Sequence, residues 1–320
     1  MADVFDQIRT QCRRVAETGR FVHIEYARIA PCARVIRALA LRKPTYDTAL
    51  HFAGRSEDVL AYIVALDSVN FGSGYFPYLT KRPGLSGYGT VARSLTERFE
   101  REGPVDSAWL SQVTTEDCVR LFGQAQAGPP ILELMGLYAR AWNELGRDLR
   151  DRFNGSFTQF VESANGSAAR LIDQLSHQPS FRDVALYHEA LVPFYKRAQI
   201  LASDLSLALP GQTWGRFDDL DRLTVFADNV VPHVLRIDGV LGYVGDLASR
   251  IDRGELIARG SDEEIEIRAC AIHAAELIVA ALRAEGHSAT ARDLDVVLWN
   301  RGRRQEAKAL PRHRTRTTAY

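Results

Sequence analysis

Two charged residues stand inside apolar stretches, where burying a charge requires a structural or functional reason. Asp228 lies in TVFADNVVP at 224–232, and Lys196 lies in FYKRAQIL at 194–201. A fixed carboxylate can stabilise positive charge that develops on a substrate, and a lysine between aromatic residues can present its ammonium group to a pocket. Two structural interpretations compete with these roles. Asp228 could cap a helix that contains Pro232, and Lys196 could reach solvent from the flank of a helix.

Polar residues at two further places adjoin apolar runs. Asp295 and Trp299 lie in LDVVLWN at 294–300, and Asn70 lies in LDSVNFG at 66–72. A carboxylate and an amide at the edge of a pocket could hydrogen-bond a polar ligand. Asp295 could instead be a first-turn carboxylate of a short helix, and Asn70 could simply mark the end of a helix.

The common sequence motifs of cofactor and hydrolase sites are missing from this chain. It contains no GxGxxG, P-loop, HExxH or GxSxG pattern, so dinucleotide, nucleoside triphosphate, zinc-protease and α/β-hydrolase chemistry lose their usual support. Cys12, Cys32, Cys118 and Cys270 lie far apart, which argues against a zinc site and against a disulfide framework. The start of the chain lacks the features of a secretory signal, and no apolar run approaches the roughly 20 residues that span a bilayer. We therefore expect a cytoplasmic protein.

Apolar residues recur at three- and four-residue spacing over most of the chain, which predicts an all-α fold. One helix should run from Pro130 to Asn154-Gly155, and another should begin at Ser261, where Ser261 and Glu264 have capping-box spacing. The second should be buried because it is apolar on most sides. Further helices are predicted at 56–66, 90–102, 115–122, 157–176, 194–208, 230–250 and 289–300. We expect one domain over 1–320, which could form two helical lobes around a central cleft.

Composition excludes several classes of protein. The 320 residues are 46% hydrophobic and 25% charged, which is typical of a globular chain and excludes bulk disorder. Forty basic residues balance forty acidic ones, and this zero net charge argues against a protein that mainly grips nucleic acid or an anionic membrane. The basic residues are nevertheless concentrated at 301–320, where seven stand against Glu306 alone.

Eight segments, in order along the chain, together resemble the queuosine salvage protein family. They are LDSVNFGSG at 66–74, GSF at 155–157, PSFRD at 179–183, FYKRAQIL at 194–201, LTVFADNVVPHVL at 223–235, EIEIRAC at 264–270, LDVVLWN at 294–300 and PRHRTR at 311–316. The resemblance implies an N-glycosidase that hydrolyses queuosine 5'-phosphate to queuine and ribose 5-phosphate. It also implies an all-helical fold like that of helix-hairpin-helix DNA glycosylases, without a metal or organic cofactor. The expected partners are the substrate and queuine, and the zero net charge and the short apolar runs predict no stable nucleic-acid partner and no membrane partner.

The resemblance also assigns roles to individual residues. Asp228 would stabilise or attack the anomeric carbon, and Lys196 would be an active-site residue that holds Asp228 ionised or contacts the sugar-phosphate. The residues expected to bind the substrate, mostly its base, are His51, Asn70, Phe226, Asn229, Asp295 and Trp299. Phe226 would stack on the base, and Asp295 would accept its NH groups or pair with its side-chain amine. His51 could otherwise be a surface histidine.

Three positions depart from the family pattern as it is seen in eukaryotes. Asn229 stands where an aromatic residue commonly follows Phe-Ala-Asp, and Asn300 stands where an acid follows the tryptophan. Gly72-Ser73-Gly74-Tyr75 replaces an aromatic pair. These differences affect the expected contacts to the base more than they affect the expected reaction.

The basic segment offers a site for the 5'-phosphate of such a substrate. Its Pro311-x-His313-Arg314-x-Arg316 pattern matches the end of the family's sequence, so we expect part of it to fold back onto the body. His313, Arg314 or Arg316 would bind the phosphate, for which the forked donors of arginine are well suited. The alternative is a basic tail that lies in solvent.

Two other functions remain open on the sequence alone. A DNA-repair glycosylase would flip a base out of duplex DNA, although the neutral net charge counts against this function. A helical protein that binds queuine or queuosine without turnover would use Asp228 and Lys196 for binding only.

Overall fold

The structure, a computed structural model, describes residues 3–39 and 44–320 and is mostly helical. The α-helices are α1 (Val4–Thr18), α2 (Ile29–Ala38), α3 (Ser56–Asp67), α4 (Gly87–Glu102), α5 (Ser107–Leu110), α6 (Thr115–Leu121), α7 (Pro129–Phe153), α8 (Phe157–Glu162), α9 (Ala168–Ser176), α10 (Lys196–Ala208), α11 (Val231–Ile237), α12 (Leu247–Asp252), α13 (Asp262–Ala284), α14 (Ala291–Gly302) and α15 (Gln305–Lys308). Single turns of 3₁₀ helix lie at Tyr26–Arg28, Phe76–Tyr78, Thr213–Gly215 and Leu220–Arg222.

Four short strands accompany the helices in the described part of the chain. They are β1 (Val22–Ile24), β2 (Val184–Tyr187), β3 (Ala190–Pro193) and β4 (Leu241–Tyr243). β1 pairs antiparallel with β4, with Val22 opposite Tyr243, and β2 pairs antiparallel with β3 as a hairpin, with Val184 opposite Pro193. The predicted helical class is therefore confirmed, with two small ribbons added to it.

Local signals set the ends of the two helices that the sequence predicts best. α7 has proline in its first turn and ends at Asn154, whose φ of 52° is left-handed and stops the helix. At the start of α13, the side chain of Ser261 accepts the N–H of Glu264, as the cap spacing predicts. The carboxylate of Glu264 accepts the N–H of Gly260, 3.1 Å away, instead of closing the box onto Ser261. α13 is buried along most of its length, as its composition predicts.

Two of the predicted helices are wrong as continuous elements. The segment 157–176 forms α8 and α9, which are separated at Asn165 and Gly166, both with positive φ. The segment 230–250 contains only the short helix α11, then β4, then α12. Gly239 and Gly245, with φ of 69° and 65°, break the helical path on either side of β4.

The chain divides into two compact units. Unit 1 comprises the described residues of 1–44 together with Asp183–Lys196 and Asp221–Arg316, and unit 2 comprises Thr45–Arg182, Arg197–Leu220 and Thr317–Tyr320.

In unit 1, α13 runs through the core and packs against α1, α2, α11, α14 and β1. It also carries a fully buried carboxylate, Glu266. Oε2 of Glu266 accepts the backbone N–H groups of Phe21 and Val22 at 2.6 and 2.9 Å, and Oε1 accepts the Tyr187 hydroxyl at 2.8 Å. These three hydrogen bonds satisfy the buried carboxylate and tie β1 and β2 to α13.

In unit 2, the long helix α7 packs against α5, α6 and α8. Its side of the core is aromatic: the indole N–H of the fully buried Trp142 donates to the Ala65 carbonyl at 2.9 Å, and the Tyr138 hydroxyl donates to the Phe71 carbonyl at 2.8 Å. Gly146 permits the close approach of α5, because a Cβ at that position would lie 2.4 Å from the Ser111 nitrogen. Among the described residues, no helix is long and apolar enough to cross a membrane.

Candidate active site

Asp228 lies in the loop that leads into α11, and its carboxylate is fixed by backbone donors. Oδ1 accepts the N–H of Val230 at 2.6 Å and the N–H of Val231 at 3.2 Å. Oδ1 therefore fixes the backbone that enters α11, although the N-cap residue of this helix is Val230 and not Asp228. Within residues 3–39 and 44–320, no hydrogen bond occupies Oδ2, and the residue is half-buried. One oxygen thus orients the carboxylate while the other is left to interact with a ligand.

The backbone that precedes Asp228 is held in tight turns. The N–H of Ala227 donates to the Val225 carbonyl at 3.1 Å, and the N–H of Asp228 donates to the Phe226 carbonyl at 2.7 Å. The Ala227 carbonyl in turn accepts Nε–H of Arg268 at 3.0 Å. With donors and acceptors fixed in this way, the loop has little freedom to reorient the Asp228 carboxylate.

Asp295, in the second turn of α14, holds the same loop from another side. Its Oδ1 accepts the N–H of Phe226 at 2.7 Å, and both residues are buried. The glycine that ends α14 lets this helix lie close to Val230, because a Cβ at Gly302 would lie 2.3 Å from Cγ1 of Val230. The sequence analysis predicts that Asp295 contacts the nucleobase of the substrate. The structure shows that one of its oxygens positions the loop that carries Asp228.

Two other predicted binding residues lie beside these. Asn229 follows Asp228 and is 8% exposed. Trp299 stands one turn after Asp295 on α14, is half-buried, and has the Arg303 guanidinium 4.5 Å from its ring centre.

Lys196 is the first residue of α10 and is 6% exposed, which disfavours the interpretation of a lysine that simply reaches solvent. Its backbone N–H donates to Oδ2 of Asp183 at 3.1 Å. The preceding residue, Tyr195, has a left-handed φ of 48°, a conformation that costs a non-glycine residue about 1–2 kcal/mol. The surrounding contacts must offset that cost, as is often found at functional sites.

Asp183 and Arg268 form a buried ion pair that the sequence interpretation missed. Nη1 of Arg268 lies 2.8 Å from Oδ1 of Asp183 and Nη2 lies 2.7 Å from Oδ2, with 2% and 7% of the side chains exposed. The face of the guanidinium lies 4.0 Å from the ring centre of Phe194. The sequence marks these two residues through their position, because they lie in PSFRD and EIEIRAC, two of the segments that carry the family resemblance.

The basic segment near residue 313 is packed, and the interpretation as a solvated tail is wrong for residues 312–316. Burial alternates along it, with His313 and Thr315 buried and Arg312, Arg314 and Arg316 half-buried, as in an extended chain with two faces. Residues Leu256 and Arg314 form a parallel β-bridge, in which the Arg314 carbonyl accepts the N–H of Ile257 at 2.8 Å. Three arginines therefore share the less buried face.

His313 lies on the buried face, and its environment favours a neutral ring. Burial, together with the smaller effects of the Arg268 charge and the nearby His233, lowers the pKa of His313 to about 3. The neutral imidazole of His313 can donate or accept a hydrogen bond but carries no positive charge. Arg314 also donates through Nη1 to the Gly254 carbonyl at 3.4 Å.

His51 and Asn70 belong to unit 2, whereas the other predicted site residues belong to unit 1. His51 is half-buried, with Nδ1 3.1 Å from the Asp47 carbonyl and Nε2 2.9 Å from the Tyr88 hydroxyl, and burial lowers its pKa. It also stacks on Tyr46 at 5.4 Å between ring centres. These contacts make a simple surface histidine a poor description of His51.

Asn70 follows the end of α3. Its Nδ2 donates to Oδ1 of the fully buried Asp67 at 3.1 Å. The segment LDSVNFG therefore does end a helix, as the structural interpretation holds, but it also fixes a carboxamide against a buried carboxylate. Among the described residues, no group of three or more His, Cys, Asp or Glu side chains could hold a metal ion.

The chain is similar to known proteins of one family. The sequence model of the queuosine salvage protein family matches residues 50–320. A protein of Sphaerobacter thermophilus named queuosine 5'-phosphate N-glycosylase/hydrolase is 39% identical over 327 residues, covering all of both chains. Proteins of the same name from Mus musculus and Dictyostelium discoideum are 30% and 35% identical; the matches cover 98% of both chains for the first, and 81% of this chain and 77% of the relative for the second.

Proposed function

The chain belongs to the queuosine salvage protein family, and we propose that it hydrolyses the N-glycosidic bond of queuosine 5'-phosphate. The products are queuine and ribose 5-phosphate, and the role is queuine salvage for the queuosine modification of tRNA. The observation that carries the proposal is the Asp228 carboxylate, with Oδ1 fixed by two backbone N–H groups and Oδ2 directed to no protein donor of the described chain.

Breaking the bond between the anomeric carbon and the base nitrogen leaves positive charge on the sugar. A carboxylate held beside that carbon stabilises the charge without having to reorient during the reaction. Water supplies the hydroxyl group that ends on the anomeric carbon, and its remaining proton ends on the departing base. Asp228 is the residue we assign to this charge, and Lys196, buried at the start of α10, is the second catalytic residue we assign.

The leaving group is a 7-deazaguanine, which has carbon where guanine has N7. The usual site of purine protonation is absent, so contacts to the other edges of the base carry more of the catalysis. We assign these contacts to Phe226, Asn229, Asp295 and Trp299, with His51 and Asn70. The 5'-phosphate is assigned to Arg314 and Arg316, whose charge suits it, with neutral His313 as a further donor or acceptor.

The same proposal covers the fold type, the domain organisation, the cellular location and the partners. We infer that the helical architecture is of the helix-hairpin-helix DNA glycosylase type and that residues 1–320 act as one domain. We place the protein in the cytoplasm, in keeping with four cysteines that are buried and unpaired as thiols. The partners are the nucleotide substrate and queuine.

The test is chromatographic analysis of queuosine 5'-phosphate, queuosine and guanosine 5'-phosphate incubated side by side with the protein. Release of queuine from queuosine 5'-phosphate, with guanosine 5'-phosphate intact, is the expected result. Cleavage of ordinary nucleotides alone would contradict the substrate. Binding without release would favour the non-catalytic ligand-binding protein, and salt-sensitive base release from duplex DNA would favour the repair enzyme.

A further inference from the structure

The buried pair of Asp183 and Arg268 lies between the segments that carry Lys196 and Asp228. We propose that Arg268, held by Asp183, is a positioning residue that fixes the Asp228 loop and the start of α10 relative to each other. This inference rests on the proposed function, because it concerns the same reaction. It assigns a role to two residues that are not among those proposed for catalysis or substrate binding.

Arg268 reaches the Asp228 loop through one specific hydrogen bond. Its Nε–H donates to the carbonyl of Ala227, the residue directly before Asp228, at 3.0 Å. The other edge of the guanidinium donates to both oxygens of Asp183, at 2.8 and 2.7 Å. A rigid planar group thus spans the two attachments, so the distance between them is set by the width of one guanidinium.

Asp183 extends the connection to Lys196. Its Oδ2 accepts the Lys196 N–H at 3.1 Å, and its backbone carbonyl accepts the N–H groups of Phe194 and Tyr195 at 2.9 and 3.3 Å. These bonds hold Tyr195 in its left-handed conformation and so fix the backbone that carries Lys196. Lys196 and Asp228 are consequently tied to the two ends of one ion pair.

The chemistry of the pair favours positioning over stability as its main role. Removing two charges from water is costly, and replacement of a buried ion pair by apolar residues of similar volume often leaves a fold as stable or makes it more stable. Here the guanidinium is 2% exposed and is also covered by the Phe194 ring at 4.0 Å. What apolar side chains cannot supply is the fixed set of hydrogen bonds to Ala227 and Lys196.

Two variants separate positioning from folding. Arg268→Met combined with Asp183→Leu removes both charges of the pair and leaves Glu264, 3.6 Å from Nη1 of Arg268, with its hydrogen bond from the Gly260 N–H. Arg268→Lys keeps the positive charge but loses the two-pronged guanidinium geometry. Each is purified, its thermal unfolding is measured, and kcat and KM for queuosine 5'-phosphate are determined well below the unfolding temperature. We expect folded proteins whose kcat falls by about 10²-fold, since a small misplacement of reacting groups has such an effect. KM should stay within about threefold.

The chain offers a matched control in Arg301 and Asp238. This pair is also bidentate, at 2.5 and 2.6 Å, lies in the same unit, and is mostly buried, with side-chain exposures of 18% and 15%. Neither residue is assigned to the site. Arg301→Met with Asp238→Leu should therefore leave kcat unchanged.

A folded Arg268→Met/Asp183→Leu protein with wild-type kcat would overturn the inference, as would a loss confined to KM. Should that double variant fail to fold, the kcat of Arg268→Lys decides in the same way. An equal fall of kcat in the control pair would also overturn it, because the effect would then be general. Absence of queuine release by the wild-type protein would overturn the proposed function instead, so the two failures are distinguishable.

Discussion

Asp295 and Phe226, 69 positions apart in sequence, are joined by a 2.7 Å hydrogen bond from the Phe226 N–H to the Asp295 carboxylate. The bond fixes the backbone two residues before Asp228. Asp295 is thus a structural support of the loop that carries Asp228, in addition to any contact with the base. Substitutions at Asp295 are expected to affect stability as well as activity, and the two effects can be separated.

Asp228→Asn should reduce queuine release by about 10³-fold or more, because the negative charge at the anomeric carbon is lost. The amide oxygen of asparagine can still accept the N–H groups of Val230 and Val231, as the carboxylate oxygen does. The free energy of unfolding should therefore change by no more than about 0.5 kcal/mol. Steady-state kinetics and urea unfolding measure the two quantities.

The matched control is Asp106→Asn. Asp106 is exposed and caps α5 through the Trp109 N–H at 2.7 Å, in unit 2. The same chemical change there should leave turnover intact. Substantial turnover by Asp228→Asn would remove Asp228 from the catalytic role.

Asp295→Ala should lower the free energy of unfolding by about 1–3 kcal/mol, because the buried Phe226 N–H loses its acceptor. Asp295→Asn retains an oxygen at that position and should lose less. Urea unfolding of both variants provides the comparison. Equal losses would mean that the carboxylate's bond to Phe226 contributes little to the stability of the loop.

Arg316→Ala should lower kcat/KM for queuosine 5'-phosphate by about 10-fold or more, because a hydrogen bond to a charged group is lost. The kcat/KM for queuosine, which has no phosphate, should barely change. Exposed Arg304 in the same basic segment provides the control, Arg304→Ala. A point substitution is needed because removing residues 311–320 would also remove the buried Thr315, Thr317 and Tyr320. Equal losses on both substrates would argue against a phosphate contact.

Stability should fall as pH is lowered from about 6.5 toward 3. The folded-state pKa of His313 is lowered to about 3, below the value of about 6.5 in an unfolded chain, so the unfolded state binds the proton first. Burial also lowers the pKa of His51 and His233, so these residues make the free energy of unfolding fall with decreasing pH in the same direction. His313→Gln should flatten this pH dependence of the unfolding free energy.

The control for the pH experiment is His177→Gln, at an exposed position. Its unfolding free energy should follow pH as in the wild-type protein. A slope unchanged by His313→Gln would show that the His313 ring is protonated as easily in the folded chain as in the unfolded one.

The sequence predicts elements well where the signals that form them are local. Proline in the first turn of α7 and Ser261 before α13 each act within a few residues, so the helix ends follow from them. The predicted helix over 230–250 fails because β4 pairs with β1, more than 200 residues earlier, and no local pattern encodes that partner. Tertiary pairing outweighs helical periodicity there.

In the candidate site, too, the sequence predicts local features but not contacts between distant residues. Asp228 and Asp295 could be singled out because each is an acid in an apolar run, but their shared support of one loop depends on a contact across the fold. Asp183 and Arg268, 85 residues apart, gave no signal beyond their presence in the family-like segments. The unusual backbone of Tyr195 was equally invisible, since tyrosine does not favour a left-handed φ.

Burial alternates over residues 312–316, so the fold depends on which positions of this segment face inward as well as on which residues it contains. Insertion or deletion of a single residue before Arg312 would exchange the two faces, turning the arginines inward and His313 and Thr315 outward. Insertion or deletion of two residues would leave each side chain on its present face. Length variation in this segment should therefore be tolerated in even steps, unlike that of an ordinary surface loop.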